Sequence, residues 1–301
     1  MFKQSTGFKS YFKSHGILYI MMIPALLYTA VFKMMPMYGV TIAFKDYQIF
    51  NGANAFEAIA NSKWVGFQNF MDIFHQPEFL RVLGNTFVIA FLKLVVLFPL
   101  PVLLSLLLSE LTWKRYKQVV QTVIYLPHFL SWIVVAGMAF HVLGTTGLLN
   151  QLMTSMGFAR VNFLMDSHHF LWVLVGSDGW KEAGFNTVVY LAAISSINPD
   201  LYEAASMDGA GKLQNMFLIT LPNMMPTVLL MFILKVGKLL EENFQQILVM
   251  YNPAVYDTAD VIQTFVYRMG LGEMDFTMGV TVGLFNSLVS FALILFSNFL
   301  S

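Results

Sequence analysis

The sequence has 301 residues, 57% of them hydrophobic and only 11% charged, with a mean hydropathy of +0.66. A soluble domain carries about a quarter charged residues, so this composition points to lipid as the surrounding solvent. The 17 basic residues balance the 17 acidic ones, which excludes the cationic field of a nucleic-acid partner, and the absence of cysteine excludes thiolate metal sites, disulfides and cysteine nucleophiles.

Lys3, Lys9 and Lys13 precede an apolar run over 17–35. At roughly 19 residues it is long enough to span a bilayer, and no small-x-small cleavage site follows, so it reads as a retained first span rather than a secretory signal. Further apolar runs at 84–108, 119–143, 170–194, 221–236 and 276–299 bring the expectation to about six spanning helices in an all-α fold. Runs of this length and uniformity exclude the alternating strands of a membrane barrel. Within the second run, Pro99 and Pro101 each remove a backbone donor and should bend the helix. Lys93, in the same run, either lines a cavity or extends its stem to the surface.

Lys114, Arg115 and Lys117, between the second and third runs, join the N-terminal lysines in setting a basic, cytoplasmic side. Both termini and the connection at 195–220 then lie in the cytoplasm, and the stretches 45–81 and 238–272 lie outside. In the fourth run, Asp178, Glu182, Asn186 and Tyr190 fall on one helical stripe beside Trp180 and Lys181. Charge inside a span is costly and marks a cavity or a partner. Carboxylates and amides suit sugar hydroxyls, and aromatic rings suit sugar C–H faces, so the stripe is a candidate carbohydrate path. An ion-pair set of Asp178, Lys181 and Glu182 that only stabilises the bundle is the alternative; Asn186 and Tyr190, deeper by roughly 6 and 12 Å at 1.5 Å per residue, are the better substrate contacts.

Asn198-Pro199-Asp200 has the grammar of a helix start, with a capping Asn, Pro at the first position and an acid in the first turn. The helix should run through Glu203, Ala204 and Ala205 to a turn at Gly209 and Gly211, followed by a second amphipathic piece carrying Leu213, Phe217 and Leu221 before Pro222. After the fifth run, 241–246 forms a polar shoulder in which Glu242 and Asn243 could meet substrate or a docked binding protein.

Glu203-Ala204-Ala205, Asp208-Gly209-Ala210, Phe217, Ile219, Leu221 and Pro222 resemble the EAA motif of binding-protein-dependent ABC importer permeases. Pro36-Met37-Tyr38-Gly39, Phe44-Lys45-Asp46-Tyr47, Trp64-Val65-Gly66, Pro99-Leu100-Pro101, Trp180-Lys181 and Tyr251-Asn252-Pro253 through Arg268 extend the resemblance to LplB-type sugar permeases over nearly the whole chain. The resemblance implies a type I ABC importer transmembrane domain over 79–301, preceded by a tail, first helix and extracytoplasmic loop over 1–78. It also implies that the loop 198–222 docks into an ATPase, with Glu203 and Gly209 central. The implied partners are a second homologous permease, two copies of a cytoplasmic ATP-binding subunit, an extracytoplasmic solute-binding protein and an oligosaccharide or polysaccharide fragment, in a bacterial plasma membrane. Asn298-Phe299-Leu300-Ser301 departs from the pattern, lacking the expected basic tail, as a trimmed C-terminus would.

Gly211-Lys212 is followed by Leu213, and Ser206 stands five residues before Gly211 where the motif needs Gly, so no phosphate-binding loop is present, and ATP and Mg should belong to a partner subunit. No metal-binding His pair and no nucleophile elbow appears either, and no catalytic residue is expected. The rival readings are an ion-coupled secondary transporter, which would need inverted repeats and a coupling-ion carboxylate, and a membrane scaffold without transport.

Overall fold

The computed structural model describes residues 8–240 and 244–299; Glu242 and Asn243 lie outside the described residues. The chain is helical almost throughout. Helix α1 (Phe8–Thr29) continues through a π turn (Ala30–Met34) into a 3-10 stretch (Met35–Phe44). None of the apolar part of this first crossing is buried, and only the 3-10 end, through Ile42 and Ala43, packs onto the rest of the fold. A two-stranded ribbon follows, β1 (Lys45–Asp46) pairing antiparallel with β2 (Lys63–Trp64), with α2 (Ala55–Asn61) between them and α3 (Gln68–Phe74) after. Asn69 donates to the carbonyls of Ala43 and Lys45, pinning α3 to the end of the first crossing.

The second crossing comprises α4 (Pro77–Leu97) and α5 (Pro99–Ser109), interrupted at Phe98 where Pro99 and Pro101 remove donors, as expected. The third differs from expectation. The continuous helix predicted over 119–143 is instead α6 (Lys114–Tyr125), a 3-10 turn (Leu126–Phe129) and α7 (Trp132–Leu143). Pro127 cannot donate to the preceding turn, Leu130 is extended, and Ser131 caps the new helix by accepting from the Val134 amide. Helix α8 (Leu148–Ser155) follows, its connection fixed by buried Asn150, which donates to the carbonyls of Gly144 and Val161 and accepts from the Val161 amide.

Helix α9 (Ser167–Ser195) is 29 residues long, about 44 Å at 1.5 Å per residue. Among the described residues, five other helical segments qualify as membrane crossings by length and composition. α9 is long enough, but every 18-residue stretch of it contains Asp178, Lys181 and Glu182, so it carries more charge than the others. It leads into α10 (Asp200–Met207), then α11 (Lys212–Asn215), a π turn (Met216–Thr220) and α12 (Leu221–Gly237). Three short helices, α13 (Phe244–Met250), α14 (Tyr256–Ala259) and α15 (Ile262–Tyr267), and a π turn (Arg268–Gly272) precede the final crossing, α16 (Phe276–Phe299).

The short helices close one end of the bundle. Ile247, Met250, Val255 and Ala259 pack with Ile89 of α4 and Phe170 and Leu174 of α9, and Phe265 joins Phe79 and Val282. Buried Asp260 accepts from Arg268 and from the Thr264 hydroxyl at 2.7 Å each, and Arg268 also reaches Glu78 at 2.8 Å. Burial alone would lower the Arg268 guanidinium, but the hydrogen bonds to Asp260 and Glu78 outweigh it and hold the group above its ordinary value. At the other end a separate core joins Val102 and Leu106 of α5, Tyr190 of α9, and Met216 and Met224 at the start of the fifth crossing.

Candidate functional site

Two features stand out on the fold: the α10–α11 connection and a cavity along α9. The connection is built by local rules. Asn198 Oδ1 accepts from the Asp200 amide at 3.1 Å, and the helix ends in a Schellman motif, with the Ala210 amide donating to the Ala205 carbonyl and the Gly209 amide to that of Ser206. Gly209 takes φ +83°, the left-handed conformation this motif needs, and a side chain added there would meet open space. The glycine is therefore required by backbone geometry, and the surface around it is clear for an approaching partner. Glu203, Ala204 and Asp208 are exposed, Ala205 and Ala210 half-buried, and Met207 and Leu213 present apolar side chains to the surroundings. The Glu203 carboxylate makes no hydrogen bond or ion pair with the described residues, while its amide donates to the Pro199 carbonyl.

The second piece of the connection is not a separate helix. α11, the π turn and α12 form one uninterrupted helical segment, Lys212–Gly237, with Leu221 half-buried and Pro222 exposed inside it. Pro222 lacks an amide hydrogen, and the preceding π turn, in which the Leu221 amide reaches the Met216 carbonyl, adjusts the ladder just before it. The Tyr202 hydroxyl meets the buried Thr220 hydroxyl at 2.9 Å, bracing α10 against this segment.

The cavity, about 470 Å³, lies between α9 and α12 and is closed by α5 and Trp132. Asp178, Glu182, Asn186 and Tyr190 line it along α9, while Met231, Leu234, Lys235 and Lys238 line it along α12. Three of the residues expected from the sequence, Glu182, Asn186 and Tyr190, thus share this wall. Trp180, Lys181 and Lys93 lie off it. Trp180 is exposed on another face, and both lysines are buried in ion pairs.

These pairs show how the membrane charges are accommodated. Lys93 neither lines the cavity nor snorkels: its Nζ lies 3.0 Å from Asp178 and donates to Gln246 Oε1, while Gln246 Nε2 donates to the Leu174 carbonyl and the Ser177 hydroxyl. Lys181 Nζ is 2.7 Å from Glu182 and 2.8 Å from the His128 carbonyl, over the Trp132 ring. The second Glu182 oxygen is 2.7 Å from His128 Nδ1, and the His128 ring stacks on Phe185. The expected ion-pair set of Asp178, Lys181 and Glu182 is therefore corrected: Lys181 pairs with Glu182, but Asp178 pairs with Lys93, and both acids also present an edge to the cavity. The sequence placed Gln246 in an outer polar shoulder, but the fold buries it against Lys93, Leu174 and Ser177; sequence reasoning missed His128, whose role arises only from tertiary pairing, and Lys235 and Lys238, which sit three residues apart at the end of the fifth crossing.

Among the described residues no group of His, Asp and Glu is arranged to hold a metal ion. A membrane bundle with a polar cavity along one charged helix, and an exposed helix-turn joined directly to a membrane helix, defines a transport subunit. The chain belongs to the family described as "Binding-protein-dependent transport system inner membrane component", whose profile matches residues 98–301. It is 40% identical over 282 residues to the polygalacturonan/rhamnogalacturonan transport system permease protein YteP of Bacillus subtilis (strain 168), covering 93% of this chain and 86% of that protein. It is likewise 40% identical over 285 residues to Protein LplB of the same organism, covering 94% and 88%. A chain of a bacterial alginate ABC transporter, solved in complex with an alginate pentasaccharide-bound periplasmic protein, superposes with a TM-score of 0.88 at 38% identity, covering 98% of this chain and 96% of that one. The type I ABC permease fold expected from the sequence is the fold the chain has, and it is an inner-membrane protein.

Proposed function

We propose that this chain is the permease subunit through which an ATP-driven importer moves oligosaccharide or polysaccharide fragments by alternating access. The relatives named for polygalacturonan, rhamnogalacturonan and alginate support a glycan cargo, and the periplasmic protein in the alginate complex supports delivery by an external binding protein. A second homologous permease completes the path, and two ATPase subunits, which carry the ATP and Mg, supply the work. Both termini and the α10–α11 turn face the cytoplasm.

The observation that carries this reading is the continuity of the turn with the cavity. An exposed Glu203 on α10, and a Gly209 held open by its positive φ, lie just before a helix whose far end supplies Met231, Leu234 and Lys235 to the cavity wall, with Lys238 immediately beyond it. A force applied at α10 is passed to this helix across the short glycine turn and the Tyr202–Thr220 contact, and along the helix to the cavity.

Glu203→Lys combined with Gly209→Asp is expected to abolish substrate-stimulated ATP hydrolysis and weaken co-purification of the ATPase, while membrane insertion is kept. Coupling at the unmodified level in both assays would overturn the assignment.

A further inference from the structure

The first turns of α6 carry charges that neither the cavity nor the α10–α11 turn uses. Lys114 and Arg115 are exposed and Lys117 is half-buried, and none of the three side chains forms an ion pair or hydrogen bond with the described residues. Glu110, half-buried at the end of α5, is the nearest acid in the chain and is unpaired as well. α6 has no acid in its first turn and no side-chain cap, so these cations oppose the helix dipole and do not stabilise the helix. Setting the orientation of the chain requires only their sign and their side. It does not require the aromatic surface beside them.

Trp113 stacks on Tyr116, with ring centroids 6.2 Å apart and planes 15° from parallel. The two rings begin an outward side of α6 that continues through Val119, Val123 and Leu126, and each of these five residues is more than half exposed. Along the helix the order is therefore cations, then amphipathic rings, then aliphatic side chains. A phospholipid leaflet has the same order from its surface inward: charged headgroup, interface, acyl chains.

The depth of α6 fits this order. α6 meets α9 where a side chain on Gly184 would strike the Ile124 carbonyl, and Gly184 is near the midpoint of α9. From Ile124 back to Lys114 the helix rises about 15 Å, half of a hydrocarbon core of about 30 Å, which brings the cations level with the headgroups. A neighbouring protein helix would cover the aliphatic side chains and leave three cations unmatched. Anionic phospholipid matches both.

We propose that the first turns of α6 hold an anionic phospholipid in preference to a zwitterionic one. Lys114, Arg115 and Lys117 meet the headgroup phosphate, the Trp113–Tyr116 pair lies at the glycerol, and the aliphatic side chains run along an acyl chain.

The test is photolabelling of the assembled transporter in phosphatidylcholine nanodiscs doped with a trace of phosphatidylglycerol or, in parallel, of phosphatidylcholine, each carrying an acyl diazirine. Adducts on α6 are mapped by peptide mass spectrometry relative to those on the rest of the chain. A cation near a charged lipid surface contributes about 1 kcal/mol, or about fivefold, so the phosphatidylglycerol yield on α6 should exceed the phosphatidylcholine yield at least fivefold, and the excess should shrink as salt is raised. Lys114→Gln, Arg115→Gln and Lys117→Gln together should bring the two yields level, and Lys114→Arg, Arg115→Lys and Lys117→Arg together should keep the excess. Equal yields in the unmodified transporter, an excess that survives neutralisation, or no α6 adduct from either lipid would overturn the proposal. If the neutral variant does not assemble, the two-lipid ratio of the unmodified transporter and its response to salt still decide.

Discussion

Lys93 shows how a single residue changes meaning between sequence and fold. In the sequence it is a lone cation within an apolar run, with lining or snorkelling as its two outlets. In the fold it is closed into a pair with Asp178 and a hydrogen bond to Gln246, residues 85 and 153 positions away along the chain, so no local pattern could have revealed it. Removing one partner of a buried pair strands the other charge, typically at roughly 3–5 kcal/mol. Lys93→Met should therefore lower thermal stability in detergent sharply, while Lys93→Met with Asp178→Leu should recover most of the loss. A double variant no more stable than the single one would show that the pair is not the source of the effect. Tyr251, at the closed end of the bundle, gives a pH signature. Burial first, then the neighbouring Tyr256 and Asp260, raise its phenol above the ordinary value. The folded chain keeps the phenol neutral after the unfolded chain would ionise it, so this contribution to stability is present below about pH 10 and falls as pH rises beyond it. Thermal unfolding followed from pH 8 to 11 should show that decline, and Tyr251→Phe should flatten it.

Element boundaries were legible where composition alone decides them. The final crossing, α16, has the bounds its apolar run predicted, 276–299. The break between α6 and α7 was written in Pro127 and Ser131, yet the surrounding apolar residues disguised it as one span. The short helices α13 to α15 were not legible, because their pattern is set by packing onto α4, α9 and α16 rather than by a period of their own. Helix contacts that depend on missing atoms are equally silent in a sequence. A side-chain carbon on Gly184 would fall 1.9 Å from the Ile124 carbonyl oxygen, so α6 and α9 approach there as closely as backbones allow. Gly184→Leu should separate these helices and destabilise the protein by about 1–3 kcal/mol or more, read as a lowered Tm and loss of transport. Gly176→Ala, on the same helix but with open space around it, should be tolerated.

For the whole molecule, hydropathy supplied the membrane class and about six crossings, and the basic flanks supplied an orientation. That orientation is directly measurable because the chain has no cysteine of its own. Phe50→Cys and Met207→Cys place single thiols at positions 95% and 89% exposed. In intact cells a membrane-impermeant maleimide should label position 50 and reach position 207 only after permeabilisation; the reverse pattern would invert the topology. The candidate site was half visible in the same way: the stripe Glu182, Asn186 and Tyr190 could be read from helical spacing, but the opposing lysines needed the fold to bring α12 against α9. That second wall belongs to the helical segment beginning at Lys212, whose 26 residues have a contour of about 39 Å. On the coupling proposed above, it would act as a lever whose short handle is the exposed turn. A tilt of about 5° at that handle would carry the lysine end through about 3 Å over this length, enough to exchange a contact with cargo for none. Gripping and releasing the glycan would then be two positions of one helix.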